Sequence, residues 1–405
     1  MAGRPPNPTL RSKDIRGAKY LKNVMELLRP LRDHRDCHNR QLHFDEYVAY
    51  ILLYFFNPIV TSLRGIQQVS ELRKVTKKLG LPRFGLGTFS EARNVFDPAL
   101  LEPIIAGLVK EVADTGADPR LAALDVAATV VDGTPIRALP KMVWALWLDK
   151  DHRAAKAHVE FDLLKGVPTR ATVTDHNTSE CRILKDTLTQ GKLYVLDRGY
   201  VDYALMAAIL DAGSSFLVRL VSNAVYEVTK ERPVSSEAQA RGIQRDMEVT
   251  LGCAASPELH ERTVRLVEVH VKDPNALIGR PRRPKMDRKS KAYRTTKTEH
   301  TLVLATNELD LDADLIADLY RYRWQVELFF RWFKVILGAD RLIAQSQNGL
   351  TLVVYCGIIA SLLIALWTGR KPTKRTFEML CLYFMGWAEA DEMEAHIRRL
   401  PKKDR

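Results

Sequence analysis

The first part of the chain has apolar residues spaced three and four positions apart, which places them on one face of a helix. Two segments show this spacing clearly, LKNVMELLRPLR and HFDEYVAYILLYFF. A further helix is predicted over residues 63–78, followed by a turn at Gly80 and Pro82. We therefore predict a helical N-terminal domain over residues 1–118.

The next helix is predicted to begin at Thr88, because Thr88 and Glu91 have the spacing of a capping box. Helix, short turn and helix in succession resemble a helix-turn-helix, with residues 89–96 in the position of the helix that reads DNA. An ordinary helical hairpin produces the same pattern, so both interpretations stay open. The stretch TGADP, residues 115–119, predicts a domain boundary.

Beyond this boundary the pattern changes to short runs of alternating or β-branched residues, which are typical of strands. Strands are predicted at residues 126–131, 156–163, 167–174, 193–196 and 215–220, and helices at residues 179–188 and 202–212. This order of three strands, helix, strand, helix and strand is typical of the ribonuclease H-like fold, in which a helix packed against the sheet should follow. We predict an α/β core of this class, whose first part is residues 119–221.

The expected helix is delayed by strand-like sequence, including AVYEVTKE, DMEVTLG, RTVRLVEVHV and TLVLATN. We interpret residues 222–309 as an inserted β-rich domain. A helix is then predicted at residues 314–337, so that residues 310–370 complete the core. Residues 371–405 are predicted to form a short helical tail.

Composition narrows the choice of partners and location. The chain has 405 residues and a formal net charge of +12, which favours a polyanion such as nucleic acid. Five scattered cysteines without a CxxC pair, and no signal-peptide pattern, predict a reduced cytoplasmic protein. Residues 350–367 are apolar and long enough to cross a bilayer, but the sequence has no second span of that length. We predict a buried core helix and no membrane partner.

Three acidic residues occupy related points of the predicted core. Asp132 follows the first strand, Asp197 follows the fourth, and Glu327 lies on the late helix. Carboxylates at these points can converge, and three of them can hold two divalent ions, for which Mg²⁺ or Mn²⁺ suits oxygen ligands. Two ions about 3.5–4 Å apart can activate water and stabilise the leaving oxygen of a phosphodiester. The sequence therefore predicts a two-metal site that cleaves nucleic acid.

Two other carboxylates compete for this role. Asp125 precedes the first strand, and Asp175 is not followed by a glycine as Asp132 is. We predict that both are structural or peripheral.

Glu327 shares one face of its predicted helix with three other residues, Tyr320, Arg323 and Lys334. An amphipathic helix with a charged solvent face is the simpler interpretation of this face. Beside a carboxylate site, however, Arg323 and Lys334 are suited to bind phosphates.

Residues 280–297 form a strongly basic segment, with nine Lys and Arg and one acid, Asp287. Such a segment is either a solvated loop or an arm that binds phosphates, and both interpretations stay open. The candidate DNA-binding residues of this basic arm are Arg280, Arg282, Arg283, Lys285, Arg288, Lys289 and the aromatic Tyr293.

Taken in order, these motifs resemble the IS-four family of DDE insertion-sequence transposases. The spacing of Tyr320, Arg323, Glu327 and Lys334 is similar to the family's YREK signature. Asp132-Gly133-Thr134 and Asp197-Arg198-Gly199-Tyr200 are similar to its two aspartate motifs. The resemblance implies that Asp132, Asp197 and Glu327 bind metal. It also implies that Tyr320, Arg323 and Lys334 contact the terminal phosphates.

The resemblance further implies an activity. The protein would bind the inverted repeats at the ends of its element, form a homodimer on double-stranded DNA, cleave both strands and join 3′-OH ends to target DNA. In hairpin-forming members a tryptophan of the inserted domain stacks on a flipped base, but this chain has no Trp between Asp197 and Trp324. Tyr293 is a candidate for that place, since stacking needs only an aromatic face. The alternative is that Tyr293 belongs to a solvated loop and stacks on no base.

Two other functions fit the same residues. A ribonuclease H-like nuclease or junction resolvase would carry the same carboxylates and cut without strand transfer. A DNA-binding regulator descended from a transposase would bind without cutting, although an intact carboxylate set argues against it. The inserted segment, Arg323 and Lys334 favour a transposase, which would act in the prokaryotic cytoplasm on nucleoid DNA.

Overall fold

The computed structural model describes residues 18–32, 40–57, 59–114, 119–122, 124, 126–137, 142, 144–145, 154–221, 224–252, 258–259, 262–271, 300–337 and 343–399. The chain forms two compact units, each assembled from separate stretches. The first unit comprises Met1–Ala117, Gly133–Thr178 and Phe329–Arg405. The second unit comprises Asp118–Asp132 and Ser179–Leu328.

The described helices, in chain order, are α1 Ala18–Arg32, α2 Phe44–Phe56, α3 Leu63–Ser70, α4 Arg73–Lys78, α5 Leu86–Val95, α6 Glu102–Glu111, α7 Pro119–Ala122, α8 Glu180–Asp186, α9 Tyr203–Asp211, α10 Ser236–Ala240, α11 Ala313–Tyr322, α12 Trp324–Ile336, α13 Gln347–Thr368, α14 Lys374–Phe384 and α15 Ala390–Arg399. The described strands are β1 Ala127–Arg137, β2 Ala154–Asp162, β3 Val167–Asp175, β4 Lys192–Leu196, β5 Ser215–Arg219, β6 Tyr226–Glu231, β7 Ile243–Leu251, β8 Thr263–Val271 and β9 His300–Thr306.

The first unit is built around α13, which packs against α2, α6 and β3. The ring of Phe56 on α2 joins α13 to α14, with its centroid 6.0 Å from that of Trp367 and 5.9 Å from that of Phe377. The length and composition of α13 alone would suit a membrane span, but 89% of its apolar stretch is buried within the protein. The prediction of a core helix is confirmed.

In the first unit β2 and β3 form an antiparallel pair. The turn between them uses Gly166 at a φ of 67°, a conformation that favours glycine because a side chain would be strained there. Strand β1 is shared, because the division between the units falls directly after Asp132.

The sheet of the second unit has the strand order β1-β4-β5-β9-β8-β7-β6. Strands β1, β4 and β5 are parallel, and β9 pairs antiparallel with β5, with Thr306 opposite Leu217. A single buried core runs through both parts of this sheet and includes Phe216, Met247 and Leu266. The strands of residues 222–309, predicted to form a domain of their own, therefore share a sheet and a core with β4 and β5.

Much of the predicted order of elements is confirmed. Strands β1 to β5 each begin within two residues of their predicted starts, and α8 and α9 lie where helices were predicted. The result is a mixed α/β fold with a large mixed sheet.

Two details of the N-terminal helices differ from the prediction. Helix α5 begins at Leu86 with Gly85 as its N-cap, so the prediction of Thr88 as N-cap is wrong. The helix predicted over residues 63–78 is two helices, α3 and α4. Phe89, in the segment predicted to read DNA, is buried with its ring centroid 4.6 Å from that of Tyr47, which shows that one side of α5 belongs to the core.

Candidate active site

Asp132 lies within β1, and the prediction that it follows the strand is wrong. The β-branched run stops at Val131, yet the strand continues to Arg137. The side chain of Asp132 is 23% exposed, so the carboxylate is accessible to a ligand.

Asp197 follows directly on β4, as predicted. Its carboxylate accepts a hydrogen bond of 2.7 Å from the backbone N–H of Arg198 and so caps the 3₁₀ turn Arg198–Tyr200. On the parallel strands β1 and β4, Val130 is opposite Val195. Two residues further along each chain, Asp132 and Asp197 come to the same level, and neighbouring strands lie about 4.8 Å apart.

The helix predicted over residues 314–337 is interrupted at Arg323. There the N–H of Arg323 bonds to the carbonyl of Tyr320, and the N–H of Val326 bonds to the carbonyl of Arg323. These bonds span three residues instead of four, which tightens the backbone locally and is frequent at functional hinges. No proline or glycine marks the place, so the pattern of residues could not predict the break.

Arg323 lies among the predicted carboxylates. Its Nη2 atom is 2.8 Å from Oε1 of Glu327, and its Nη1 atom is 3.8 Å from Oδ2 of Asp132. The hydroxyl of Tyr320 donates a hydrogen bond of 3.3 Å to Oδ1 of Asp197. The structure therefore brings these five predicted residues together within the second unit.

The electrostatics keep Arg323 charged and Tyr320 neutral. Burial opposes the charge on Arg323, but the carboxylates of Asp197, Asp132 and Glu327 raise its pKa further above its usual value. Burial, followed by the charge of Asp197, raises the pKa of Tyr320. Tyr320 is therefore a hydrogen-bond donor at neutral pH, and Arg323 is a permanent cation.

A buried hydroxyl beside this cluster was not singled out from the sequence. Tyr200 is 1% exposed, and its hydroxyl has no hydrogen-bond partner among the described residues. Burial raises the pKa of Tyr200, and the charges of Glu180, Asp132 and Asp197 add to this effect. Buried hydroxyls are nearly always hydrogen-bonded, so a partner from a bound ligand or its water would suit this position.

Sequence reasoning also missed two charged residues near the cluster. Glu180, the first residue of α8, acts on Tyr200, and Arg219, the last residue of β5, lowers the pKa of Tyr320 against the effect of burial. Neither belongs to a recognisable motif, so only the folded chain reveals them.

The carboxylates suit divalent ions in their chemistry. Within the described ranges, no three acidic, histidine or cysteine side chains approach closely enough to enclose a metal ion. Asp132 and Glu327 instead share the guanidinium of Arg323 as their positive charge. Hard carboxylate oxygens and the unpaired hydroxyl of Tyr200 are donors that fit Mg²⁺ or Mn²⁺ with its bound water.

The competing carboxylate Asp175 is bound to its own turn. It accepts a hydrogen bond of 2.6 Å from the hydroxyl of Thr178 and one of 2.8 Å from the N–H of Asn177. The hydrogen bond from Thr178 is the main cause of its lowered pKa. Asp125 lies outside the described residues.

The remaining predicted residues are Lys334 and those of the basic arm. Lys334 lies on the part of α12 that belongs to the first unit and is partly exposed. The basic arm, with Arg280, Arg282, Arg283, Lys285, Arg288, Lys289 and Tyr293, lies outside the described residues.

Comparison with known proteins identifies the family of this chain. Residues 127–363, more than half of the chain, match the family described as transposase DDE domain. The chain belongs to this family. The matched segment contains Asp132, Asp197 and Glu327, and the resemblance to DDE insertion-sequence transposases is confirmed.

Individual proteins similar to this chain are also named as transposases. A protein of Sinorhizobium fredii named as transposase y4zB is 28% identical over 237 residues, which cover 58% of this chain and 59% of that protein. The chain thus matches less than two thirds of that relative. A protein of Geobacillus stearothermophilus named as the transposase for insertion sequence element IS5377 is 22% identical over 299 residues, covering 73% and 71% of the two chains.

Among solved structures, a piggyBac transposase synaptic complex with hairpin DNA aligns with 96% of this chain and 79% of that chain. The TM-score is 0.40 and the identity is 9%.

Proposed function

We propose that the protein is the transposase of an insertion sequence, which binds the terminal inverted repeats, cleaves the DNA and joins 3′-OH ends to target DNA. The observation that carries this proposal is that carboxylates from three elements, Asp132, Asp197 and Glu327, meet around Tyr320 and Arg323. A single helix with a charged solvent face would not bring Asp132 of β1 to Arg323 and Asp197, which follows β4, to Tyr320.

We also propose a ribonuclease H-like core for this chain, preceded by helices that bind DNA and interrupted by residues 222–309. The order of β1 to β5 with α8, α9 and the late helices supports this interpretation. The parallel pairing of β1, β4 and β5 supports it as well, since it brings Asp132 level with Asp197.

In this proposal each residue has a defined task. Asp132, Asp197 and Glu327 would hold two divalent ions, Mg²⁺ or Mn²⁺, which activate water and stabilise the leaving oxygen when bound. Tyr320 orients Asp197 by donating its hydroxyl to the carboxylate. Arg323 and Lys334 would bind the phosphates beside the scissile bond, where a permanent cation offsets the negative charge of DNA.

The main test is cleavage of a labelled duplex that carries an end of the element, taken from the DNA flanking the reading frame. Asp132→Ala, Asp197→Ala and Glu327→Ala should each lose metal-dependent cleavage and retain end binding, because basic side chains bind the phosphates. Substantial cleavage by Asp197→Ala would refute the site.

Asp175→Ala is the matched control for this test. Asp175 is also an aspartate of a core strand, but its carboxylate is bound to its own turn, so the variant should cleave as the parent does. A plasmid target added to the reaction separates transposition from simple cleavage. Cut ends that never join the plasmid would favour the nuclease or resolvase interpretation instead.

The proposed partners are double-stranded DNA and a second copy of the chain. The basic arm is proposed to bind DNA, so neutralising its Lys and Arg should lower the slope of binding against salt by about 0.9 for each phosphate that the arm no longer binds. An unchanged slope would identify the arm as a solvated loop. Hairpin ends formed equally well by Tyr293→Ala would remove Tyr293 from the proposed stacking role.

A further inference from the structure

The guanidinium of Arg323 contacts two of the proposed metal ligands, Asp132 and Glu327. Its side chain is only 4% exposed, and its guanidinium lies 2.8 Å from Glu327 and 3.8 Å from Asp132. A guanidinium stays protonated at any physiological pH. The cation of Arg323 therefore competes with a divalent ion for these two carboxylates.

This pairing of Arg323 leaves one of its donors unused. The Nε–H group is buried and has no hydrogen-bond partner among the described residues, whereas buried donors are nearly always bonded. The backbone at Arg323 also departs from the regular helix, with hydrogen bonds that span three residues. Such a break is a place where a helix can bend and redirect a side chain.

We propose that Arg323 is an exchangeable cation of the active site. It pairs with Asp132 and Glu327 while no DNA is bound, and it leaves them to divalent ions when its guanidinium moves to a DNA phosphate. This inference rests on the proposed function, because it takes both carboxylates as metal ligands. Its consequence is that DNA and metal bind cooperatively, since two ligands that favour the same arrangement strengthen each other's binding.

Arg321 is the natural control for Arg323. It lies two residues earlier in the same segment, its side chain is 56% exposed, and it pairs with Asp318 at 2.9 Å. Among the described contacts, none joins Arg321 to the carboxylates of the site. Removing its charge tests the effect of a missing arginine in the same stretch of helix.

The experiment measures binding of Mn²⁺ alone, without DNA, by the electron paramagnetic resonance signal of the free ion. Arg323→Gln and Arg323→Met should bind Mn²⁺ more tightly than the parent by roughly 5- to 150-fold, the usual range of coupling between two sites. Arg321→Gln should match the parent. Arg323→Lys keeps the positive charge and should bind Mn²⁺ about as weakly as the parent.

The outcomes separate this inference from the proposed function. Equal Mn²⁺ affinity for the parent and Arg323→Gln, with binding abolished in Glu327→Gln, would overturn the exchange and leave the metal site standing. If no variant bound Mn²⁺ at any attainable concentration, the metal site itself would fail.

A measurement on the parent protein makes the test independent of variant folding. The side-chain Nε–H resonance of Arg323, assigned by its absence in Arg323→Lys, should shift as Mg²⁺ and an element-end duplex are added together. A resonance that stays in place throughout the titration would overturn the exchange.

Discussion

Two arginines of the second unit, Arg265 and Arg323, are both buried beside carboxylates, but only one has all its donors satisfied. Arg265 is 2% exposed, and its Nε and Nη2 atoms donate to Asp246 at 2.8 and 2.7 Å. Its Nη1 atom donates to the backbone carbonyls of Glu308, Leu309 and Leu311. Arg323 contacts Glu327 at 2.8 Å and Asp132 at 3.8 Å, and its Nε–H group has no hydrogen-bond partner among the described residues. The side chains of Asp132 and Glu327 are 23% and 30% exposed.

This difference in hydrogen bonding indicates that Arg265 stabilises the fold, whereas Arg323 is available for function. A charge is tolerated in the interior when all its donors are bonded and its partner is equally buried. Arg265 meets this condition, and through its three carbonyl contacts it fastens the loop before α11 to β7 and β8. Arg323 does not meet it, which is the expected state of a residue whose partners must also bind something else.

The largest expected effect is that of removing Arg265. Arg265→Ala should lower the free energy of unfolding by about 3 kcal/mol, because it leaves the buried charge of Asp246 with only the longer, 3.6 Å contact to Arg232. The measurement is urea unfolding followed by circular dichroism. The double variant Arg265→Met with Asp246→Leu removes both charges and should recover most of this stability. A decrease below about 1 kcal/mol for Arg265→Ala would show that the two arginines are not different in kind.

For Asp132 the same comparison predicts a small effect on stability and a large effect on DNA cleavage. Asp132→Asn should change the free energy of unfolding by no more than about 1 kcal/mol, since its partner lies 3.8 Å away and its carboxylate is partly exposed. Cleavage should fall by more than about 100-fold, because even residues that only support a metal ligand cost about 10–100-fold. The check is to measure unfolding and cleavage on the same preparation. Strong destabilisation would place Asp132 with Arg265 as a structural residue.

The ion pairs of Asp314 form a third cluster, whose contribution to stability should be smaller than that of Arg265 and should depend on pH. On α11, Asp314 is paired with Arg120 at 2.6 Å and also with Arg241. Burial alone would raise the pKa of Asp314, but the hydrogen bonds from both arginines lower it overall. A lowered pKa means that this pairing stabilises the fold above the unfolded pKa of about 3.9 and that the contribution disappears as the pH falls below it.

Asp314→Asn should therefore be less stable than the parent at pH 7, by about 1 kcal/mol or less for such partly exposed pairs. The two proteins should converge near pH 2, where the carboxylate of the parent is protonated. Thermal unfolding from pH 2 to pH 7 measures this difference. A constant gap at every pH would mean that the ion pairs are not its cause.

The sequence was most informative where a local pattern is also the physical cause of the structure. Alternating, apolar and β-branched runs predict the starts of strands β1 to β5 to within two residues, because such side chains favour a pleated, half-buried or buried backbone. The spacing of Arg323 and Glu327 predicted that they share one helix face, and the two are in contact because residues four apart on a helix are neighbours.

Sequence reasoning failed where a neighbouring segment decides the local conformation. Strand β1 continues past Asp132 to Arg137, although the β-branched run has ended. The buried hydroxyl of Tyr200 and the position of Glu180 beside it depend on packing between segments distant in sequence. The residue types at positions 180 and 200 do not by themselves predict such a contact.

The sequence by itself predicted the family, the type of the core elements β1 to β5, α8 and α9, and the three candidate carboxylates, since these follow from residue identity and spacing. Tertiary structure alone decided that strands β6 to β9 continue the sheet past β5, and that Arg323 contacts Asp132 as well as Glu327. The physical reason is that strand partners and ion pairs are chosen among distant segments. The free energy of that choice comes from burial and charge pairing, which exist only after the chain has folded.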